Sequence, residues 1–476
     1  MTAPSGTDVR DHHVFPPVTA DRDTAHHHEG KPRHGQAQPA PAAPVEPLAA
    51  TRPARTPAPT AEPRHQHPAR RRDAPQVTTP AHQERPGRTE LGRCLMSSGA
   101  LSSDWAPAFA ALDRALFLPL RMWPFFPEDP QHPEDKADAR TVTVDRGEDP
   151  AAWYGYADAD LSIVTQWDDG DHRGRVPGRV PTSSSSMPTV VYSLLREAAP
   201  EPGMSVLDAG TGTGTGETAA LLAHRCGPAN VVSVDVDSAV TATAHAALTA
   251  IGEAPRVVTG DALAGHPDGT PLDRVLCTFG VRQIPAPWIT QARPGGRITV
   301  PYGTHYSSRD ALLRLTVHAD GTASGPFVTG MEFMKARAHR LTWPDHTAYV
   351  TTWPGTTGTT LRPDQLADTD ALHALSLTVP HVTHTLYTED DGDPVGWWYS
   401  LTDHSWAFAR WPDPQGPGIV HQHGPRHLCD VIESAYQWWE EQGRPTLSRF
   451  GLTVTPDGAA PWVDEPGNTV PGTRRR

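Results

Sequence analysis

The stretch "MSVLDAGTGTGTGETAALLAHRC", residues 204–226, decides how this chain is read. "MSVLDA" is a short apolar run ending at Asp208 and Ala209, and "ETAALLAHRC" has the texture of a helix, so the stretch reads strand, glycine turn, helix. Such a turn presents backbone N–H groups at a helix start to an anion or a polar nucleotide. Four glycines stand at alternate positions, Gly210, Gly212, Gly214 and Gly216. A dinucleotide turn requires Gly-x-Gly-x-x-Gly or Gly-x-Gly-x-x-Ala directly after the strand. Counted from Gly210, the third position falls on Thr215, and the register that does fit, Gly214, Gly216 and Ala219, begins four residues too late. The register at the strand end is Gly210, Gly212 and Gly214, with Asp208 before it and Thr211 inside it. Gly216 then falls in the first turn of the helix, where it allows tight packing.

Outward from this stretch, apolar runs alternate with helical segments between Val190 and Tyr302. "NVVSVDV", "RVVTGDA", "LDRVLCTF" and "GRITVPYG" read as further strands, and "AVTATAHAALTAIG" as a helix. Strands separated by helices predict a parallel, doubly wound α/β sheet, placed here at residues 96–305. Upstream, "DWAPAFAALDRALFLPLRMWPF" predicts a short amphipathic helix through Phe109, Leu112, Leu116 and Leu118, followed by an extended stretch. After Gly303, "ALLRLTVHADGTASGPFVTGMEF" reads as a hairpin turning at Asp320-Gly321. "HVTHTLYTEDDGDPVGWWYSLTDHSWAFARW" reads as a hairpin series and "HLCDVIESAYQWWEEQGR" as an amphipathic helix, giving a C-terminal α+β extension over 306–470. Its many aromatic residues are expected to fill a core.

Residues 1–95 are dominated by Pro, Ala, His, Arg and Thr, a composition that buries too little apolar surface to offset ordering entropy, so a disordered tail is expected. Met96 opens sequence of ordinary globular character and is a candidate translation start. The run His26, His27 and His28 reads as part of the tail, and no metal site is expected. The four cysteines, Cys94, Cys226, Cys277 and Cys429, form no CxxC pair, which speaks against a disulfide framework or zinc ribbon and for a reducing cytoplasm. Cys226 and Cys277 read as small buried hydrophobes. The lack of a long apolar run argues against a membrane span. A formal net charge of -14 disfavours broad nucleic-acid binding.

"VLDAGTGTG" resembles motif I of the class I S-adenosylmethionine-dependent methyltransferases, and the downstream elements follow that family's order. The resemblance implies a Rossmann-like sheet with S-adenosylmethionine as cofactor, held by Asp208, Gly210, Thr211, Gly212 and Gly214. "VVSVDVD" puts Asp235, with Val236 after it, where the family's acidic residue accepts hydrogen bonds from the two ribose hydroxyls. "VVTGDAL" puts Asp261 and Ala262 where the family reads adenine.

"PTSSSSMPTVVYSLLREAAPEPGMSVLDAGTGTG" resembles more narrowly the protein-L-isoaspartate O-methyltransferases, whose Ser-x-Pro segment precedes a helix and then motif I. On that match Ser186, followed by Met187 and Pro188, stands at the catalytic serine, and Ser184 and Ser185 at cofactor contacts. Without the match, the serine run reads as a loop and helix cap. The family's Thr-Ala-Ala-Pro appears as Thr278-Phe279-Gly280-Val281, where its substrate pocket forms, with Met187, Thr278 and Phe279 as pocket residues here. The altered motif implies a different carboxylate substrate. The extension, above all "YQWWEEQGRPTLSRFGLTVTPDG", resembles the C-terminal part of the protein aspartate O-methyltransferases that accompany lanthipeptides and ATP-grasp-made graspetides.

Together these resemblances imply methylation of an aspartate side chain in a ribosomally made precursor peptide, with Ser186 orienting the carboxylate and the ester closing to a succinimide. Repair of isoaspartyl proteins is the nearest alternative. From other classes, a dinucleotide-dependent oxidoreductase is discouraged by the glycine register, and a non-catalytic module that retains the fold remains a further reading.

Overall fold

The computed structural model describes residues 85–126, 140–211, 215–269 and 271–472. The first described residue, Arg85, donates from its guanidinium to Asp113 (2.7 Å) and Asp158 (2.6 Å) at the foot of helix α1 (Pro86–Ser97). Leu91 and Leu95 of α1 are buried, so the part of the expected disordered tail beyond residue 85 is packed chain. The His26–His28 run lies outside the described residues.

The predicted amphipathic helix is a short α2 (Ala106–Ala111) broken before a 3-10 turn at Arg114–Leu116. A four-stranded antiparallel sheet follows, in the order β2 (Val144–Asp145), β1 (Arg121–Phe125), β3 (Ser162–Trp167), β4 (Pro181–Ser185), with α3 (Pro150–Ala157) packed on it through Trp153. Beyond β1 the sequence reading had not anticipated this sheet. Its last strand carries the serine run into α4 (Pro188–Ala198), where Pro188 occupies the first helical position.

The five strands and two helices read from the sequence between 204 and 302 form in that order, and a third, short helix not read from the sequence joins them before the last strand. Parallel strands β5 (Val206–Ala209), β6 (Val231–Asp235), β7 (Arg256–Thr259), β8 (Leu272–Cys277) and β9 (Ala292–Tyr302) alternate with α5 (Glu217–Cys226), α6 (Ser238–Ala250) and α7 (Ala286–Gln291), with only a 3-10 turn between β7 and β8. Successive strand residues face opposite sides. Val206 and Leu276 therefore pack with α1, α4 and α5, whereas Leu207, Val275 and Cys277 enter a second core on the other face.

That sheet does not end at β9. It continues antiparallel through β10 (Ala311–Val317) and β11 (Ala323–Gly330), then β17 (Phe450–Thr455) and β18 (Gly458–Val463), giving nine strands in the order β18-β17-β11-β10-β9-β8-β5-β6-β7. The β10–β11 hairpin turns at Asp320-Gly321 as expected, Gly321 taking φ +79°. Between β11 and β17 lie one-turn helices α8 (His346–Tyr349) and α9 (Pro363–Leu366), helix α10 (Thr369–Thr378) and a second antiparallel sheet. That sheet runs β12 (Thr357–Thr359), β16 (Gly418–His423), β15 (Trp406–Arg410), β14 (Pro394–Ser400), β13 (Val382–Thr388), and helix α11 (Leu428–Glu441) follows it.

One buried cluster joins Leu207, Val275 and Ile298 of the central strands to Leu375, Trp398 and Ile432 of this later region. A boundary at residue 305 thus cuts through both the nine-stranded sheet and a continuous core. The reason is burial: β9 would otherwise be an open edge, and the face carrying Leu207 needs a cover. The expected core role of the aromatics fits Trp398, Trp406, Trp411 and Trp439, all buried, while Trp353 is 57% exposed.

Candidate active site

The glycine turn begins where β5 ends. Gly210 takes φ +110°, and a Cβ added there would stand 2.4 Å from Thr278 Oγ1 and 3.0 Å from the Phe279 ring, so only glycine fits. Thr278 seals the strand end: its N–H donates to the Ala209 carbonyl at 2.9 Å, and its hydroxyl to the carbonyls of Ala209 (3.2 Å) and Gly210 (3.3 Å). Thr211 is buried with φ +32°, a strained conformation for a β-branched residue. Gly212 and Gly214 lie outside the described residues. Gly216 is the N-cap of α5 at φ +89°, and an added Cβ would be 3.1 Å from Ala244 of α6, in keeping with the close packing expected of it. Gly210→Ala is expected to lower stability by about 1–3 kcal/mol and to weaken cofactor binding. Thermal melting with calorimetric titration checks this, and an unchanged melting temperature would show that the turn relaxes freely.

Asp208 is fully buried and accepts a hydrogen bond from Ser233 Oγ of β6 at 2.8 Å. Asp235 closes β6, accepting from the Asp237 N–H at 2.9 Å. Burial pushes its carboxyl up to about 6, with the Asp237 charge adding to the effect. Val236 is 52% exposed beside it. Asp237 caps α6 and also accepts from Gln166 (2.9 Å) and Arg337 (2.7 Å); although burial opposes it, these bonds hold its carboxyl below the usual carboxylate range.

Asp261 caps the 3-10 turn that includes Ala262, and the Ala262 carbonyl accepts from Trp288 Nε1 at 2.8 Å. A cleft of about 590 Å³ opens beside them, lined by Val234, Val258, Gly260, Asp261, Ala264 and Gln291 among others. Neither Asp235 nor the serine segment lines that cleft.

The serine segment pairs with β3, Ser184 opposite Val164 and Ser185 opposite Ile163. Ser185 Oγ donates to Glu217 Oε2 of α5 at 3.1 Å, which ties the end of β4 to the helix after the glycine turn. Ser186 follows, mostly buried, and its hydroxyl has no hydrogen-bond partner among the described residues. Met187 is half-buried at the N-cap of α4, and Thr189 of that helix donates from its N–H to Asp160 at 2.8 Å. The fold thus gathers the serine segment, the start of the glycine turn, Thr278 and Phe279 around the ends of β4, β5 and β8.

Three contributions were missed in the sequence. The first is the pair Arg114 and Glu217, both buried, whose only sequence signal was a charge inside an apolar run. The second is Asp160. The third is the segment after β11, which crosses the site: Gly280 N–H donates to Met334 O at 2.9 Å, Ala336 N–H to Gly280 O at 3.0 Å, and Arg282 Nε to His339 O at 2.8 Å. Lys335 is paired with buried Asp310 beneath it. Arg337 and Arg340 then reach Asp169, at 3.0 and 2.6 Å, and Arg337 also reaches Asp237. The departure from Thr-Ala-Ala-Pro at 278–281 coincides with this cover.

Among the described residues no helix is long and apolar enough to cross a membrane, and no group of three or more His, Cys, Asp or Glu is placed to hold a metal ion.

The family described as Protein-L-isoaspartate(D-aspartate) O-methyltransferase (PCMT) matches residues 137–338, a span that ends within the segment crossing the site. A protein-L-isoaspartate O-methyltransferase of Thermococcus onnurineus is 33% identical over 143 residues, 30% of this chain and 62% of that protein. One from Pyrococcus horikoshii is 33% identical over 138 residues, 29% of this chain and 61% of that protein. The chain thus spans about six tenths of the length of these relatives. A solved protein-L-isoaspartate O-methyltransferase structure aligns over 79% of this chain and 100% of its own, with a TM-score of 0.46 and 21% identity. Protein-L-isoaspartate O-methyltransferase 2 of a Polaromonas species is 30% identical over 156 residues, 33% of this chain and 72% of that protein, and on that extent of shared sequence the chain belongs to the protein-L-isoaspartate O-methyltransferase family.

Proposed function

We propose that this protein is an S-adenosylmethionine-dependent O-methyltransferase that esterifies a side-chain carboxylate in a peptide, its substrate being an aspartate of a ribosomally made precursor peptide. The observation that carries the reading is the Ser186 hydroxyl, unbonded among the described residues, beside a Ser185 that is anchored to the helix following the glycine turn. Family membership supports the reaction class.

The residues fit the cofactor. Asp235 is a deeply set carboxylate at a strand end, and no cation pairs with it directly among the described residues; two ribose hydroxyls are the donors it suits. Gly210 keeps the buried turn after β5 free of a side chain, which would collide with Thr278 and Phe279. Gly210 and Asp235 are therefore assigned to the cofactor, with Ser184, Ser185, Asp208, Thr211, Gly212, Gly214, Val236, Asp261 and Ala262 around it, and Met187, Thr278 and Phe279 to the substrate side. S-adenosylmethionine, when bound, supplies an electrophilic methyl group on a sulfonium.

The chain's own task is placement. A carboxylate with a reference pKa near 4 is already ionised at neutral pH, so no strong base is needed. Ser186 donates a hydrogen bond to one carboxylate oxygen and leaves the other free to take the methyl group, and the surrounding burial excludes water. The product is a neutral ester whose alkoxide leaves more readily than the parent oxygen, so the next backbone nitrogen can close a succinimide.

A second reading, isoaspartyl repair, is favoured by the names of the relatives. A peptide panel separates the two. Methyl gain on Asp-containing precursor peptides, followed by loss of methanol, supports the first, whereas methyl gain confined to isoaspartyl peptides supports repair. Absence of transfer to every carboxylate peptide, with cofactor bound, would sink both.

A further inference from the structure

Arg114 belongs to none of the motifs above, yet its guanidinium is the best-connected side chain around Ser186. It is 6% exposed. Nη1 donates to the Ala159 carbonyl at 3.1 Å, and Nη2 to those of Leu161 (2.9 Å), Ser185 (3.1 Å) and Ser186 (3.0 Å). Nε donates to Ser185 Oγ at 2.9 Å, and that hydroxyl in turn donates a hydrogen bond to Glu217 Oε2 at 3.1 Å. Glu217 is 7% exposed, with Oε2 3.8 Å from Arg114 Nε.

Two features of this network bear on Ser186. First, the carbonyls of Ser185 and Ser186 belong to the two peptide groups that flank the Ser186 Cα. One nitrogen holds both, so the orientation of the Ser186 side chain is set from either side. Second, Glu217 opens the helix that follows the glycine turn, so the Ser185 bond fixes the distance between the serine segment and that turn. A buried ion pair brings little net stability over a well-packed apolar pair, because both charges lose their hydration. What it supplies here is a planar fork that reaches four separate carbonyls, which neither an apolar side chain nor an ammonium can copy.

We propose that Arg114 and Glu217 are positioning residues for methyl transfer: Arg114 grips the backbone on both sides of Ser186, and Glu217, through Ser185, ties that backbone to the start of α5. This rests on the assignment of Ser186 above. Neither residue touches the substrate carboxylate.

Arg114→Lys keeps the charge and loses the fork. Displacing a reacting group by about 1 Å costs on the order of 10²-fold in rate, so kcat should fall by about 10- to 100-fold. The loss should appear mainly in kcat, with KM for the peptide and calorimetric affinity for S-adenosylmethionine changing much less, because Gly210 and Asp235 keep their own contacts while only the serine backbone shifts. Hydrogen exchange of the amides of Ser184 to Met187 should quicken relative to β5 and β6. Should Arg114→Lys fail to fold, Glu217→Leu and Glu217→Gln provide the second test. The glutamine keeps an acceptor for Ser185 and should retain most of the activity that the leucine loses. Wild-type kcat in Arg114→Lys, equal losses in the two Glu217 variants, or unchanged exchange across residues 184–187 would overturn the proposal. A wild-type protein that methylates no peptide would instead defeat the functional assignment, and the exchange measurement would still decide whether the grip exists.

Discussion

Replacing Ser186 by alanine is expected to lower methyl transfer by about 10²–10³-fold while leaving S-adenosylmethionine affinity within about threefold. The hydroxyl is small and mostly buried, and its removal leaves neither a large cavity nor a stranded partner, since no described residue bonds it. Folding should therefore be nearly unaffected, and the loss should appear in kcat. A carboxylate in a partly desolvated site has several orientations that keep both oxygens hydrated, and only some align an oxygen with the methyl group. A single donor on a backbone held rigidly from both sides selects among them. Single-turnover rates with a substrate peptide, beside calorimetric titration of the cofactor, check the prediction. A Ser186→Ala protein with full activity would remove Ser186 from the mechanism and move attention to Ser185. That residue already donates to Glu217 and accepts from Arg114, so it is poorly placed to do both tasks.

The second large effect concerns the other end of the site. Asp235→Ala should weaken S-adenosylmethionine binding by about 10²-fold or more, because two hydrogen bonds to an ionised acceptor are lost at about 1.5–3 kcal/mol each. The same residue predicts a pH dependence. Burial holds its carboxyl at about 6, above the usual value for aspartate. On the proposed assignment, the ionised carboxylate accepts from both ribose hydroxyls above that pH. As the pH falls through about 6 the proton occupies one acceptor and affinity drops, approaching one decade per pH unit below it. Neighbouring Asp237 titrates lower, since Arg337 and Gln166 bond its carboxylate, so it contributes little in this window. Calorimetric titrations between pH 5 and pH 8, a range chosen on the order of the expected transition, read the effect. A wild-type affinity flat across that range, or an Asp235→Ala protein retaining the pH dependence, would count against the ribose assignment.

Much of the fold was legible because its signals are local. The strands β5 to β8 and the second half of β9 are short runs rich in β-branched or aliphatic residues, α5 and α6 between them carry their own apolar residues, and Asp320-Gly321 marks a hairpin by its own torsional preference. The span of α5 matches the helix read from "ETAALLAHRC", with Gly227 following it, although Gly216, expected in the first turn, is its N-cap. The boundary at 305 was misread because strand pairing is not local. Nothing in "ALLRLTVHADG" tells whether it pairs with β9 or with a separate sheet; the exposed edge of β9 decides that. The sheet of β1 to β4 escaped notice for a related reason, being short, interrupted by loops, and organised around Trp153 and Trp167 rather than by alternation.

Within the candidate site the same division holds. The sequence by itself proposed the residues that lie on one continuous stretch each: the glycines and Asp208 after β5, Asp235 after β6, Asp261 and Ala262 after β7, and the Ser-x-Pro segment before α4. Their chemistry is carried by residue type and by distance from a strand end, both of which are properties of the linear chain. Only the tertiary structure decided what holds Ser186. Arg114 lies 71 residues from Ser185, Glu217 lies 32 residues beyond it, and Arg340 reaches Asp169 across 171 residues. Isolated, each of these charges reads as solvated surface, because an ionised side chain belongs in water by default. Arg114 and Glu217 join the site only once folding has removed the water and brought in the carbonyls, hydroxyl and opposite charge that replace it, whereas Arg340 and Asp169 stay exposed and are joined by chain approach alone.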